Sequence, residues 1–389
     1  MRVLIAIGVR RAKEAGAAGV VVNHASELQR LGHEVECWFL DDILPLPARS
    51  KRFESILFAI AVAQKILQQR NKFDVVNVHA PCGCAYGVWR KCFRPKNSPP
   101  YVLTMHGSEE RYVATMKREH RKGRAWHFSW KNRIWHRLYH HSMYKCSIIC
   151  ADQGVVVNRE AWIMAQLKYG CEPARWSFVP NGVEEKFLAS AAARTYGQHV
   201  RLLYVGTWLD RKGVYYLADA FLLASKRIPG LALTVAGCLA SVNEVRSYFA
   251  DEVRNRVGVV PFVPRENMPD LYLEHDIFVF PSLVEGMPLT LLEAMATGMP
   301  VVTTNTCGMA DLVENGVNGL LVPPADGRSM AIGLDHLCGS AELREGLGAA
   351  AHVTAKRYTW KNVTRQLEAV LRAAVEGEHN QFHSGSGVT

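Results

Sequence analysis

The chain has 389 residues, enough for two or three domains that each bury a core of their own. Hydrophobic residues make up 49% of it and charged residues 21%, which is typical of an ordinary soluble globular protein. The longest apolar run, residues 56–63, falls far short of the roughly 18 residues of a membrane span, so the sequence argues against an integral membrane protein. The net charge of +10 is concentrated between residues 117 and 145, so the positive charge belongs to a local surface and not to the whole protein.

The N-terminal segment and the cysteines indicate a cytoplasmic protein. Apolar residues 3–9 run directly into Arg10 and Arg11 without a basic lead or a cleavage site, which predicts a first strand and not a signal peptide. The 10 cysteines are scattered and lack paired CxxC zinc spacing, so we expect buried, reduced thiols.

Strands alternate with helical patterns along the whole chain. This alternation predicts an α/β fold with parallel sheets that helices cover on both faces. The predicted strands of the first half are Arg2–Val9, Glu34–Phe39, Asp74–His79, Tyr101–Met105, Ser147–Ala151 and Ser177–Val179. Those of the second half are Arg201–Val205, Ala232–Ala236, Val257–Val260, Ile277–Phe280, Val301–Thr303 and Leu320–Val322.

The two sets of strands predict two Rossmann-like domains. We place the first at residues 1–188, an alanine-rich linker at 189–199 and the second domain at 200–356. A C-terminal helix follows at 357–376, and the polar residues 377–389 are expected to be a disordered tail. The alternation alone also fits a periplasmic binding protein or a two-domain dehydrogenase, so the fold does not settle the function.

The most informative motif joins the strand Ile277–Phe280 to a helix. Gly286 lets a ligand approach the backbone, and Pro288 suits the start of a helix whose amides favour an anion such as phosphate. Glu285 and Glu293 would repel phosphate, and their carboxylates favour neutral hydroxyls, as on sugars. The alternative is a purely structural strand–helix turn, in which the glutamates are solvated or cap the helix.

Two further strand ends carry candidate residues. Gly206 follows a strand, and Lys212, at the start of the next helix, can neutralise a diphosphate; the alternative is an ordinary surface lysine. His106 ends the strand Tyr101–Met105, where such folds bind ligands, although a lone histidine there is more often structural. Gly16 opens the first helix, but its surroundings are not GxGxxG, so a dinucleotide site is the weaker interpretation.

In combination these motifs resemble the family-4 retaining glycosyltransferases over roughly residues 1 to 375. The motifs, in family order, are His106-Gly107, Pro180-Asn181-Gly182, Gly206 with Lys212-Gly213, Pro281-Ser282, the Glu285/Glu293 pair and Gly316-Val317-Asn318-Gly319. The resemblance implies a GT-B fold, in which two Rossmann-like domains face each other across a cleft and the C-terminal helix crosses back to the N-terminal domain. It also implies sugar transfer from a nucleotide diphosphate-sugar to a glycan or lipid-linked acceptor, with retention at the anomeric carbon.

The resemblance also implies roles for the candidate residues. Glu293 would hold the ribose and Glu285 the transferred sugar, while His106 would face the sugar from the other domain. Lys212 and the amides of Gly286 and Met287 would hold the diphosphate. The wider donor-binding set is Gly16, Gly107, Gly206, Thr207, Phe262, Val263, Pro288, Leu289 and Thr290, with Phe262 and Val263 where the family places the base.

One departure from the family concerns the cations for the diphosphate. The family usually has arginine directly after the glycine equivalent to Gly206, and here Thr207 stands instead. Arg211 is too close to Lys212 in sequence for us to assume that both point the same way. No Asp-x-Asp follows a strand end as a metal site, so we expect neither a metal ion nor another cofactor.

A basic and aromatic stretch at residues 117–145 is the remaining feature, with Glu119 as its acidic residue. A solvated helical face is the default interpretation, and no recognition motif supports nucleic-acid binding. An anionic membrane surface or acceptor fits equally well, which predicts peripheral attachment to the inner face of the membrane. The candidate contact residues are Arg118, Arg121, Lys122, Arg124, Trp126 and Trp130.

Rival functions belong to other classes. A GT-B sugar-nucleotide epimerase or phosphorylase is the enzymatic alternative, although no pyridoxal-binding lysine site is identifiable. A two-domain sugar-binding protein is the non-catalytic alternative, and the strand–helix phosphate site argues against it.

Overall fold

A computed structural model describes residues 1–11, 16–44, 51–93, 98–125, 130, 134, 136–194 and 200–384. Its strands are β1 (Arg2–Ala6), β2 (Glu34–Trp38), β3 (Val75–His79), β4 (Tyr101–Met105), β5 (Gln153–Val156), β6 (Trp176–Phe178), β7 (Arg201–Val205), β8 (Ala232–Ala236), β9 (Val257–Val260), β10 (Ile277–Phe280), β11 (Val301–Thr304) and β12 (Leu320–Val322). Its helices are α1 (Gly16–Arg30), α2 (Leu40–Ile43), α3 (Lys51–Gln68), α4 (Cys84–Phe93), α5 (Glu109–Arg121), α6 (His141–Cys150), α7 (Arg159–Tyr169), α8 (Glu185–Ser190), α9 (Val214–Ser225), α10 (Val242–Arg246), α11 (Asp251–Arg254), α12 (Met268–Leu273), α13 (Leu289–Ala296), α14 (Cys307–Leu312), α15 (Gly327–Gly339), α16 (Ala341–Ala355) and α17 (Trp360–Ser384).

The chain divides into two compact units. The first comprises Met1–Glu109, Ser129–Asn181 and Trp360–Thr389, and the second comprises Glu110–Phe128 and Gly182–Thr359. The N-terminal part of the first unit therefore extends to Asn181, whereas the sequence predicted that it extends to residue 188. The second unit also takes in Glu110–Phe128, a segment that the sequence analysis assigned to the first domain.

The predicted linker belongs in part to the second unit. Its first residues continue α8 into a 3₁₀ turn, Ala191–Ala193. Arg194 then donates hydrogen bonds to the backbone carbonyls of Tyr272, His275 and Thr297, which anchors the segment within that unit. Residues 195–199 lie outside the described residues.

The first unit contains a parallel six-stranded sheet in the order β2-β1-β3-β4-β5-β6. Side chains alternate across its two faces because strand residues have a period of two. Val3 and Ile5 of β1 pack in a cluster with α1 and α17, whereas Leu4 and Ala6 pack in another with α3, α4 and α6. Apolar residues on both faces explain why these strands appear in the sequence as continuous apolar runs.

The fifth strand differs from the prediction. The prediction placed it at Ser147–Ala151, but the structure places these residues at the end of α6 and forms β5 from Gln153–Val156. In α6, Ser147 and Ile148 are buried and Ile149 is exposed. A short apolar run does not distinguish a buried strand from one face of a helix, which is why the prediction was wrong here.

The second unit contains another parallel six-stranded sheet, ordered β12-β11-β10-β7-β8-β9. From β7 the chain proceeds outward through β8 and β9, and from β10 it proceeds in the opposite direction. The carboxyl ends of β7 and β10 therefore lie side by side at the point where the strand order reverses. In open α/β sheets this point is the usual ligand-binding crevice.

The last helix returns to the first unit, which confirms that part of the predicted fold. His24 of α1 makes a 2.8 Å hydrogen bond to Thr364 of α17, and Leu367 and Leu371 join the core beneath α1. The helix extends to Ser384, so the part of the predicted tail between 377 and 384 is helical. Residues 385–389 lie outside the described residues.

Two expectations about bulk properties can be compared with the structure. All of the cysteines are free, among them the buried Cys82, Cys238 and Cys307 and the exposed Cys92. In the described part of the chain, no helix combines the length and the apolar character needed to cross a bilayer.

Candidate functional site

The loops after β7 and β10 touch at the switch point of the second unit. The loop after β7 contains a 3₁₀ turn, Asp210–Lys212, which ends at Gly213. Gly213 has a φ of 73°, and a Cβ there would lie 2.0 Å from the carbonyl oxygen of Pro281. Glycine is required at this position both for the left-handed backbone and for the close packing of the two loops.

Glu285 is the centre of a cluster formed by these two loops. Its Oε1 lies 2.8 Å from Lys212 Nζ and 2.9 Å from a guanidinium nitrogen of Arg211, and it accepts a 2.7 Å hydrogen bond from Ser282 Oγ. Burial raises the pKa of Glu285, but the charges of Lys212 and Arg211 outweigh this effect and hold the pKa below its ordinary value. Two cations against one carboxylate leave the cluster with a net positive charge.

Arg211 and Lys212 therefore point toward the same carboxylate, so Arg211 can serve as the second cation for a diphosphate. Successive residues of a 3₁₀ turn are separated by about a third of a turn, yet both long side chains reach the same carboxylate oxygen. Thr207, which replaces the family's usual arginine, contributes a backbone carbonyl that accepts a hydrogen bond from Tyr204. Neighbouring Gly206 has a φ of 152° and is partly buried.

Glu293 lies in a different environment, on the buried side of α13. It is 2% exposed, contacts a guanidinium nitrogen of Arg265 at 2.6 Å and accepts a 3.0 Å hydrogen bond from the hydroxyl of Tyr272. Arg265 also forms an ion pair with Glu184. Burial raises the pKa of Glu293 above its ordinary value in spite of the opposing charge of Arg265. The pKa values of the two glutamates of the motif are thus shifted in opposite directions, that of Glu285 downward and that of Glu293 upward.

The other predicted donor residues line the entry to α13. Pro288 is the residue that precedes the helix, and Leu289 and Thr290 form its first turn. The backbone of Gly286 is packed closely, since a Cβ on Gly308 would lie 2.0 Å from the carbonyl oxygen of Gly286. This segment therefore holds a defined backbone path from the strand end to the helix.

The residues predicted to contact the base follow β9. Phe262 is 63% exposed and Val263 is partly buried. An exposed aromatic ring at a strand end of the same sheet is chemically suited to stacking on a base.

Histidines of the first unit cluster at the carboxyl ends of β3 and β4. His106 directly follows β4, and its Nε2 lies 2.6 Å from Nδ1 of His79, the last residue of β3. One ring nitrogen must donate and the other accept, so the two rings share one proton between them. Burial lowers the pKa of His106 to about 4 and that of His24 to about 3, and it also lowers the pKa of His79.

The two predicted glycines of the first unit lie at the starts of loops and helices. Gly16 is the exposed first residue of α1, with a φ of 59°. Gly107 follows His106, and its carbonyl accepts a hydrogen bond from the hydroxyl of Tyr144.

The basic stretch is only partly available as a surface. Arg118 and Arg121 are exposed, and Trp130 is 64% exposed. Lys122 instead donates a 2.7 Å hydrogen bond to the hydroxyl of Tyr216, and Arg124 lies over the same ring at 4.6 Å. The charged groups of Lys122 and Arg124 are therefore engaged within the second unit, while the Lys122 side chain is still 48% exposed, so their part in a contact surface stays a prediction. Trp126 lies outside the described residues.

Two protein-family models match this chain. The model described as Glycosyltransferase Family 4 matches residues 15–187, and the model described as Glycosyl transferases group 1 matches residues 199–340. Together the two models account for both halves of the chain. The chain belongs to the family-4 glycosyltransferases of the GT-B fold.

Individual relatives of this glycosyltransferase are distant. An uncharacterized glycosyltransferase of Methanocaldococcus jannaschii is 25% identical over 79% of this chain and 77% of its own length. The UDP-Gal:alpha-D-GlcNAc-diphosphoundecaprenol alpha-1,3-galactosyltransferase of Escherichia coli is 26% identical over 66% of this chain and 64% of its own length. The sucrose-phosphate synthase structure from Thermosynechococcus elongatus superposes with a TM-score of 0.76 at 18% identity, covering 97% of this chain and all of that one.

Several residues of this candidate site had no strong signal in the sequence. Arg265 and Tyr272 precede Glu293 by a strand and a loop, and nothing local marks them as its partners. His79 was detectable in principle, because it ends a predicted strand next to the one that precedes His106. Ser282 belongs to the Pro281-Ser282 motif, but no pattern in the sequence indicates its contact with Glu285.

Proposed function

We propose that this glycosyltransferase moves a sugar from a nucleotide diphosphate-sugar to a glycan or lipid-linked acceptor, with retention at the anomeric carbon. The observation that carries the proposal is the Arg211–Lys212–Glu285 cluster at the switch point of the second sheet. Its net positive charge suits a diphosphate, and its carboxylate suits a neutral sugar hydroxyl. The Escherichia coli relative, whose name states a UDP-sugar and a lipid-linked diphosphate acceptor, supports the same pair of substrates.

The cluster is arranged to stabilise a leaving diphosphate. The ammonium group of Lys212 has three donors, so it can contact Glu285 and still donate to phosphate oxygens. Arg211 adds a second fixed charge, which compensates for Thr207 in place of the family's arginine. Charges that are already in place when the glycosidic bond breaks stabilise the developing negative charge without further reorganisation.

Glu293 and the loop around Phe262 are proposed to hold the nucleoside. The carboxylate of Glu293 is held in one orientation by Arg265 and Tyr272, which is the arrangement needed to accept hydrogen bonds from ribose hydroxyls. The exposed ring of Phe262 is proposed to stack on the base. His106 is proposed to contact the transferred sugar from the first unit, with its ring orientation set by His79.

For retention we propose departure and attack on the same face of the sugar. The bond from the anomeric carbon to the phosphate oxygen breaks, and a bond to the acceptor oxygen forms on the same side. The acceptor's proton passes to an oxygen of the leaving diphosphate, so no protein nucleophile is required. Since Arg211, Lys212 and the amides at the start of α13 supply the positive charge, we propose that the transfer step requires neither a metal ion nor another cofactor.

We also propose that the enzyme works in the cytoplasm, beside an anionic membrane surface. Arg118 and Arg121 are exposed on α5, and Trp130 is exposed further along the chain. Basic and aromatic side chains together favour the interface of anionic lipids, where a lipid-linked acceptor would be presented.

A donor screen tests this function. Purified protein is heated with a panel of nucleoside diphosphates and nucleotide sugars, and we expect one nucleotide to raise the unfolding temperature. The matching nucleotide sugar is then incubated with candidate acceptors, and proton NMR reports the anomeric configuration of the product. An inverted product would contradict retention, whereas stabilisation by no nucleotide would contradict the proposed donor class.

A further inference from the structure

Three side chains of types that can ligate a metal ion converge in the first unit. They are Glu109, the first residue of α5, and His136 and His140, which begin and end a π-helical segment just before α6. One ligand atom from each lies within 4.8 Å of the others. All three residues are partly buried, so the cluster is not a set of solvated surface charges.

The contacts in this cluster are close but poorly suited to hydrogen bonding. Oε1 of Glu109 lies 3.4 Å from Nδ1 of His140 and is in close contact with Nε2 of His136. Within the described residues, Glu109 Oε1 and His140 Nδ1 are buried without a partner in hydrogen-bonding geometry. Two imidazole nitrogens thus converge on one carboxylate oxygen, and a shared metal ion would replace their irregular hydrogen-bond geometry by coordination.

The spacing agrees with a shared metal ion. Two ligands that each lie about 2.1 Å from a tetrahedral zinc ion are about 3.4 Å apart. That is the observed separation of the Glu109 and His140 atoms, whereas the His136 nitrogen is in closer contact with the carboxylate oxygen and would move away from it on metal binding.

We propose that Glu109, His136 and His140 form a binding site for one divalent transition-metal ion, of which zinc is the best match. Two imidazole nitrogens and one carboxylate oxygen favour such ions, whereas magnesium and calcium prefer sites made of oxygen ligands. Three protein ligands leave a fourth position for water or for an oxygen of a bound molecule.

The surroundings of the site orient its ligands. The ring of His140 is stacked near that of Tyr144, with the centroids 6.5 Å apart and the planes 21° apart. Tyr144 in turn donates a hydrogen bond to the carbonyl of Gly107, two residues before Glu109. Single π-helical turns occur frequently at functional sites, and this one places both histidine rings together, with centroids 4.8 Å apart.

The metal would hold the loop that follows β4. Glu109 comes three residues after His106, so a metal that joins it to the π-helical segment restrains the loop carrying that histidine. This role is separate from the neutralisation of the diphosphate, which belongs to Arg211 and Lys212 in the second unit. The site can therefore exist whether or not the proposed function is correct.

Cobalt and zinc binding to tag-free, chelator-treated protein tests the site. We expect one equivalent of Co²⁺ to produce visible absorption bands and one equivalent of Zn²⁺ to displace it and raise the unfolding temperature. His140→Gln should weaken Co²⁺ binding at least about tenfold, since it removes one of three ligands. His141→Gln, at the next position and outside the cluster, is the matched control and should bind as the wild type does.

Circular dichroism of the metal-free variants shows whether each is folded, and Glu109→Gln replaces His140→Gln if the latter is not. Absence of stoichiometric Co²⁺ binding by folded wild-type protein would overturn the proposal. Equal affinity in the wild type and a folded ligand variant would overturn it as well. Because the readout is metal binding, neither result depends on nucleotide binding or on sugar transfer.

Discussion

Lys212 Nζ lies 2.8 Å from Oε1 of Glu285, and this ion pair joins the loops that follow two adjacent strands. Both side chains are about one-tenth exposed, so the pair is shielded from solvent. Removing one partner would leave the other charge buried, and for that reason each variant requires a check of folding.

Lys212→Ala should lower the rate of transfer by about a hundredfold or more, because a fixed charge on the leaving group would be lost. Arg211→Ala should lower it as well, since the guanidinium contacts the same carboxylate. The measurement is nucleoside diphosphate release under saturating donor. Lys226→Ala, on an exposed side chain of the same unit, is the control. A Lys212→Ala enzyme with normal turnover would show that this lysine does not act on the diphosphate.

Glu293→Ala and Glu285→Ala should have different effects. Glu293→Ala should weaken both the free nucleoside diphosphate and the donor by about ten- to a hundredfold, the effect of losing a charged hydrogen bond. Glu285→Ala should chiefly lower turnover, because its proposed partner is the sugar. Calorimetric titration and initial rates separate the two effects. The exposed Glu266 provides a control substitution to alanine. Unchanged nucleotide affinity and activity in both variants would rule out these roles.

The sequence predicted this site in outline because its chemistry is local. β7, β8, β9 and β10 have the predicted bounds, since each is a largely apolar run that is followed directly by a glycine or a proline. Glu285 and Glu293 belong to one short segment and could be recognised together. Arg265 could not be paired with Glu293, because that contact depends on how the loop after β9 packs against α13.

Acidification should destabilise the first unit through its buried histidines. The pKa of His24 is about 3 in the folded protein against 6.5 unfolded, so the unfolded chain binds the extra proton between these values. The contribution of neutral His24 to the free energy of unfolding is therefore fully present above pH 6.5. It decreases as the pH falls, and about 2 kcal/mol of it is lost at pH 5. Unfolding temperatures at pH 7 and pH 5 measure the loss. It should be smaller in His24→Gln than in wild type or in the control His120→Gln. The same loss in all three proteins would contradict the assignment.

Attachment to membranes should depend on Arg118 and Arg121. Each exposed cation near an anionic surface contributes about 1 kcal/mol, so replacing both with glutamate should weaken binding at least about thirtyfold. Co-sedimentation with phosphatidylserine and with phosphatidylcholine vesicles at low and high salt measures this. Glutamate substitutions at Lys226 and Arg254, which are exposed elsewhere, are the control. Equal sedimentation of wild type with both lipids would mean that the surface has another role.

Metal ions should not be needed for the transfer step. After treatment with chelator, addition of Mg²⁺ or Mn²⁺ should leave the rate nearly unchanged, because Arg211 and Lys212 already supply the neutralising charge. The assay is run well below the unfolding temperature so that any effect of the proposed zinc site on stability is avoided. A rate that vanishes with chelator and returns with Mg²⁺ would contradict this mechanism.

Release of nucleoside diphosphate from a nucleotide sugar tests the central claim most directly. Wild-type protein and Lys212→Ala are each incubated with every donor of a panel, and the released diphosphate is quantified over time. The account predicts that wild type cleaves one nucleotide sugar slowly even without acceptor, and that folded Lys212→Ala is at least about a hundredfold slower. If folded wild-type protein releases diphosphate from none of the donors, with or without acceptor, or if the variant releases it at the wild-type rate, the account is wrong.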